Sequence, residues 1–157
     1  MKDVFMGIDP GQKGGVGILV CDVLGKKTVA HAWRYPGDYS TFADLILDII
    51  SEHGPITLCT VEQVHSMPGQ GVASSFKFGA NFGAVLGVMA ALGIPHVLCT
   101  PRKWQKALLD AGTGETKARS LSMARRLFPN VDMKYKADDG KADGLHMARW
   151  SRRVHEV

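Results

Sequence analysis

Four acidic residues, Asp9, Glu62, Asp139 and Asp143, lie in three separate segments that could carry them to one point. Asp9 closes the apolar run Val4-Phe5-Met6-Gly7-Ile8 and is followed at once by Pro10-Gly11, the pattern of a strand that ends in a turn. Glu62 closes a second such run, Ile56-Thr57-Leu58-Cys59-Thr60-Val61. Asp139 and Asp143 are four residues apart in a segment of helical character, so both fall on one helix face. Carboxylates at the ends of buried strands repel each other and resist desolvation, and a divalent cation bound between them relieves both penalties. Paired metals of that kind stabilise the attacking and the leaving oxygen of an in-line displacement at phosphorus. The pattern points to a metal-dependent nuclease.

Each of these residues also has a plainer reading. Asp9 before Pro-Gly fits an Asx turn. Asp138 and Asp139 fit the start of a helix, where caps and the macrodipole favour acids. Asp143 lies a full turn further in, where capping no longer accounts for it. A helix over about 139–153 would put Asp139, Asp143, His146 and Trp150 on one stripe, with Ala142, Leu145 and Ala148 facing elsewhere. Lys141 could touch phosphate or simply be solvated. His65 and His146 could move protons near the site or serve as structural histidines.

The elements that must position the acids follow from periodicity and turn signals. Strands are expected at about 4–9, 15–22 and 28–34, separated by short turns as in an antiparallel meander. A helix follows, with a capping box at Thr41 and Asp44 and apolar spacing at Phe42, Leu45, Ile46, Ile49 and Ile50; Gly54-Pro55 stops it. After the Glu62 strand comes a glycine- and serine-rich loop, 64–75, and then a helix over about 76–92. On that helix Gly79, Gly83 and Gly87 share a stripe, and close approach of another backbone, from a subunit or a substrate, would offset their cost. A fifth strand at 95–100 leads to Thr100-Pro101, cap and first position of a short helix. A helix over 116–128, capped by Thr116, would turn Ala118, Leu121, Ala124, Leu127 and Phe128 inward, and a polar loop, 131–137, precedes the last helix. The order β-β-β-α-β-α-β-α-α-α implies an α/β chain with one mixed sheet and helices on its faces.

Composition narrows the function classes. The 157 residues suit one domain, 1–157, with a sizeable core, and 45% hydrophobic with 22% charged residues excludes global disorder. No uninterrupted apolar run of about 20 residues is present, and the N-terminus lacks a signal-peptide pattern, so a cytoplasmic protein without a membrane partner is expected. Cys21, Cys59 and Cys99 each sit in an apolar run and read as reduced core residues. Residues 1–100 carry a net charge of −2 and residues 101–157 a net charge of +6. A basic C-terminal third around an acid pair suits a polyanionic partner.

Three motifs taken in order, Gly-Ile-Asp9-Pro-Gly, Val-Glu62-Gln and Asp139-Gly-Lys-Ala-Asp143-Gly-Leu, resemble the RuvC family of Holliday junction resolvases, in the variety common in bacteriophages. The likeness extends over Phe76-Lys77-Phe78-Gly79 and Thr100-Pro101-Arg102-Lys103-Trp104, nearly the whole chain. It implies an RNase H-like fold with a five-stranded mixed sheet, three strands antiparallel and then two parallel. It also implies a homodimer acting on four-way DNA junctions in a bacterial or phage-infected cytoplasm, with no nucleotide cofactor. Asp9, Glu62, Asp139 and Asp143 match the family's acids, which would hold two Mg²⁺ ions per site (Mn²⁺ substituting) for hydrolysis to 5′-phosphate and 3′-hydroxyl ends. The last two acids are four apart here and three apart in the best-known bacterial members, so Asp138 stays open as the fourth acid. Gly144 stands where alanine is usual, a change without an evident functional reading. Expected DNA contacts are Phe76, Lys77, Arg102, Lys103, Lys106, Lys117, Arg119 and Lys141. A broader flap- or fork-cutting nuclease and a catalytically silent junction-binding protein are the alternatives.

Overall fold

The computed structural model describes residues 1–63, 68–112 and 114–157. Strands β1 (Lys2–Asp9), β2 (Gly15–Asp22) and β3 (Thr28–Arg34) form the expected meander, followed by helix α1 (Tyr39–His53), β4 (Leu58–Glu62), α2 (Val72–Ala91), β5 (His96–Cys99), α3 (Pro101–Leu108), α4 (Thr116–Leu127) and α5 (Asp139–His155). The strands lie in the order β3-β2-β1-β4-β5, with β1/β2 and β2/β3 antiparallel and β1/β4 and β4/β5 parallel. This is the mixed sheet that the motif resemblance implied.

Strand alternation sorts the side chains into two cores. Val4, Met6, Ile8, Val16, Ile18, Cys59 and Val61 pack under α1 and α2, with Phe42, Ile46, Val85 and Met89. Phe5, Leu19 and Cys21 face the other way, onto Leu121, Ala124, Ala142, Leu145 and Ala148 of α4 and α5. Asp9 shares the alternation of Phe5, and Glu62 that of Leu58 and Thr60, so both acids face α5. All three cysteines are buried and unpaired.

Helix α5 lies almost directly on the strands because glycines face each other across the seam. A Cβ on Gly7, Gly15 or Gly17 would run into the α5 backbone at Gly144, Gly140 and Leu145, and one on Gly144 would stand 2.7 Å from the Gly17 nitrogen. The Gly144 that had no evident role is therefore what lets the acid-bearing helix approach the sheet. Ser151 ties down the far end of that helix, donating to the Met6 carbonyl at 2.7 Å and meeting Thr60 Oγ1 at 2.6 Å.

Several local expectations shift. Asp38, not Thr41, caps α1: its carboxylate accepts from the Ser40 and Thr41 N–H groups. An aspartate three residues upstream of Thr41 reaches the free N–H groups of the first turn without needing a capping box. Helix α2 begins at Val72, so the expected loop shortens; residues 64–67 lie outside the described set. Glu115 takes the cap position of α4, Ala118 is exposed and Leu127 is 41% exposed. A short 3₁₀ turn, Lys136–Asp138, replaces the end of the 131–137 loop.

Candidate active site

Asp9 and Glu62 end adjacent parallel strands, with Ile8 paired to Val61 one step earlier. The first turns of α5 cross above them and bring Asp139 and Asp143. The four expected acids thus converge at the C-terminal edge of β1 and β4, and their mutual repulsion is felt at each of the three most buried. Burial raises Asp9 above the usual carboxylate range, against a hydrogen bond from Gly11 N, and the Asp139 charge adds to it. Burial pushes Glu62 up to about 8, with Asp9 and Asp143 adding and the Trp104 indole opposing. Asp143 is pushed up to about 7 by burial, opposed by a bond from Ser120, with Asp9 and Asp139 adding. The Asx-turn reading of Asp9 also holds, since Gly11 N donates to Asp9 Oδ1 at 3.0 Å. That bond uses one oxygen, and the other has no hydrogen bond among the described residues.

The site has a buried backing that the motifs did not reveal. Trp104, fully buried on α3, donates from Nε1 to Glu62 Oε2 at 2.7 Å. Ser120, fully buried on α4, donates to Asp143 Oδ1 at 2.6 Å. His146 stacks on Trp104 with ring centroids 5.8 Å apart, and its Nε2 donates to the Ser120 carbonyl at 2.9 Å. Arg149 approaches its Nδ1 at 3.0 Å, which leaves the imidazole neutral, and burial lowers its pKa to about 4. His146 therefore belongs to the packing behind the carboxylates, not to the acid stripe. Helical position alone put it there, but the ring turns toward α3 and α4. His65 lies outside the described residues. The sequence signal for the backing is slight: a tryptophan in an otherwise polar, basic helix, Pro101-Arg-Lys-Trp104-Gln-Lys.

Asp138 and Asp139 separate clearly. Asp138 is 1% exposed, accepts from Tyr135 N and from Arg34 Nε at 3.0 Å each, and pairs with Lys141 at 3.6 Å. Burial pushes its pKa up, but these partners outweigh it and hold the carboxyl below the usual range. Its oxygens are committed to the fold, whereas Asp139 stands by the Asp9 and Asp143 charges with Lys117 at 3.9 Å. Asp139 is the fourth acid of the cluster.

Among the expected DNA contacts, Lys77, Arg102, Lys103, Lys106 and Lys117 are exposed, and Phe76 is 80% exposed near the start of α2. Lys103 also lies over the Trp150 ring, 5.6 Å from its centroid. Two are turned inward. Lys141 Nζ donates to the Asp132 carbonyl at 2.9 Å besides pairing with Asp138, and Arg119 Nη2 donates to the Asp110 carbonyl at 3.4 Å. Their charges anchor the loops around the site.

Among the described residues, no three His, Cys, Asp or Glu side chains are gathered tightly enough to enclose an ion. The chemistry of the cluster nevertheless fits a hard divalent cation: carboxylate oxygens only, largely desolvated, with proton affinities raised by burial and by one another. Asp9, Glu62, Asp139 and Asp143 are the residues that would hold it.

The sequence matches no family model and no curated protein. Similarity is found among solved structures. Thermus thermophilus RuvC, in complex with a Holliday junction substrate, superposes with a TM-score of 0.62 at 21% identity, covering 96% of each chain. A second structure of T. thermophilus RuvC gives 0.61 at 22% identity, again over 96% of each. The yeast mitochondrial Holliday junction resolvase Ydc2 gives 0.51 at 15%, over 96% of this chain and 80% of that one. The architecture is RNase H-like. Within that class, this chain shares the fold of the RuvC structures.

Proposed function

We propose that this protein is a structure-selective DNA endonuclease that resolves four-way junctions by divalent-metal-dependent phosphodiester hydrolysis. The observation that carries the reading is the convergence of Asp9, Glu62, Asp139 and Asp143 at one sheet edge, backed by buried donors, on a RuvC-like fold. Buried acids facing one another are unfavourable unless they meet positive charge, and a module that only bound phosphates would gain nothing from them. Paired Mg²⁺ ions bound there would supply the charge that stabilises the attacking and leaving oxygens of an in-line displacement, giving 5′-phosphate and 3′-hydroxyl ends.

The chain's own residues have distinct parts. Gly11 N and Trp104 Nε1 hold one oxygen each of Asp9 and Glu62, and Ser120 holds one of Asp143, so the remaining oxygens are presented in a fixed array. Lys117, whose charge reaches Asp9, Asp139 and Asp143, lies where it can meet the incoming phosphate. The exposed lysines and arginine of α3 would engage the backbone of the junction arms.

The active unit in this reading is a homodimer, whose twofold suits a four-way junction. Helix α2 supports it. By length and mean hydropathy alone α2 could span a bilayer, with only 17% of that window buried, yet it carries Lys77 and seats Val85 and Met89 in the core. Gly79, Gly83 and Gly87 have nothing within 4 Å of an added Cβ, leaving room for a second copy's backbone.

The test is cleavage of a labelled synthetic four-way junction beside duplex, flap and fork controls, in Mg²⁺, in Mn²⁺ and in EDTA. Paired symmetric nicks in the junction, lost in EDTA and in Asp9→Asn, are expected. Equal cutting of flaps and forks would replace junction resolution with general debranching. Tight binding without cutting in either metal would leave a binding protein.

A further inference from the structure

A cleft of about 810 Å³ opens beside Asp139, between the β1–β2 turn, the end of β3, α4 and the 3₁₀ turn. Its basic side chains are Lys13, Arg34, Lys117, Arg125 and Lys136, against Glu115 and Asp139 as the acids on its wall among the described residues. Two of the cations are locked by the fold: Arg34 pairs with Asp138, and Arg125 donates to the Met133 and Lys134 carbonyls. Lys13 and Lys136 are exposed and form no ion pair among the described residues. Ala118, Leu121 and Ala137 give the cleft apolar wall. Tyr35, which also lines it, is 6% exposed, and its hydroxyl has no hydrogen-bond partner among the described residues.

Cations at the rim and apolar surface within suit a ligand that is anionic at one end and flat and apolar at the other. The volume lies within the roughly 300–1,000 Å³ of sites that enclose one small organic molecule. It is too small for a duplex and sufficient for one nucleotide drawn out of its stack. Because Asp139 forms one end, anything seated there lies next to the carboxylate cluster.

We infer that this cleft seats one unpaired nucleotide of the DNA strand whose phosphate meets the carboxylates, with Lys13 and Lys136 on its flanking phosphates. The inference rests on the nuclease reading above for the word "strand", and the experiment separates the two. The Asp9→Asn protein is titrated onto four-way junctions carrying 2-aminopurine at successive positions around the exchange point. It is also titrated onto a short single strand with the same label. Two variants are compared in that background, with melting curves to establish folding: Ala118→Trp, which fills the cleft from an exposed wall position, and the pair Lys13→Glu with Lys136→Glu.

Binding is expected to change the fluorescence at one position beside the exchange point and in the single strand. Ala118→Trp should abolish both changes while leaving the melting temperature near that of the Asp9→Asn parent. The double charge reversal should flatten the salt dependence of binding by about one to two in log–log slope. Fluorescence indifferent to Ala118→Trp, or an unaltered salt slope, overturns the inference even if the unsubstituted protein cuts junctions normally. A strand signal sensitive to Ala118→Trp in a protein that cuts no branched DNA sustains the cleft and removes the resolvase reading. Competition by free deoxyadenosine monophosphate as strong as that of the strand would reassign the cleft to a free nucleotide and overturn the strand assignment.

Discussion

Replacing Glu62 by glutamine tests the reasoning about the cluster without any DNA. Glu62 is 7% exposed, and burial, with Asp9 and Asp143 adding, pushes its pKa from an ordinary 4.5 to about 8. A carboxyl raised on folding takes up a proton preferentially in the native state, so metal-free stability should be greatest below about pH 4.5 and fall as the pH climbs to about 8. At 1.36 kcal/mol for each tenfold change in proton affinity, the full fall is on the order of 5 kcal/mol, an upper bound. Glutamine carries no charge and keeps an oxygen for the Trp104 indole. The variant should therefore match the parent near pH 5 and exceed it by roughly 2–4 kcal/mol at pH 9 in EDTA, since Asp9 and Asp143 retain part of the repulsion. The assay is urea unfolding at pH 5, 7 and 9, where a midpoint shift at constant slope reads stability directly. Mg²⁺ at a thousandfold its Kd and pH 8 should reverse the order, since it adds about 4.1 kcal/mol to the protein that binds it. A variant less stable than the parent at pH 9 in EDTA, or one equally stabilised by Mg²⁺, would refute the account of Glu62 as a strained, metal-seeking carboxylate.

Four other substitutions separate fold from chemistry. Gly144→Ala should destabilise: alanine favours a helix by about 1 kcal/mol, but its Cβ would stand 2.7 Å from the Gly17 nitrogen, and overpacking costs about 1–3 kcal/mol or more; thermal melting reads the sign. Trp104→Phe keeps the stack on His146 but removes the donor to Glu62, which should weaken Mg²⁺ binding by calorimetry and cost about 1–3 kcal/mol of stability. Asp138→Asn breaks the pairs with Arg34 and Lys141 and, because Arg34 is half exposed and finds solvent, should lower stability by about 1–3 kcal/mol at pH 7. Because the Asp138 pKa is depressed on folding, its contribution is present above pH 3.8 and lost as the pH falls through the folded value, so the deficit should vanish in strong acid. Asp139→Asn should leave the urea midpoint near that of the parent and abolish junction cutting; loss of cutting only in Asp138→Asn would exchange the two roles.

Sequence alone carried the order of elements, the apolar runs of β1 and β4, and the places of four acids at strand ends and on the last helix, because these depend on periodicity and on turn signals within a few residues. It could not rank Asp138 against Asp139, since both fit a helix start; Arg34, 104 residues away, takes Asp138 into the fold. Nor could it assign His146, Trp104 and Ser120, which come from three helices and meet one another, Glu62 and Asp143, or Gly144, whose significance is the backbone of β2 lying opposite. Residue type and local spacing record what a side chain can do. Which of its possible partners it meets is decided by long-range packing, and here that packing turned an acid pattern into a backed and oriented cluster.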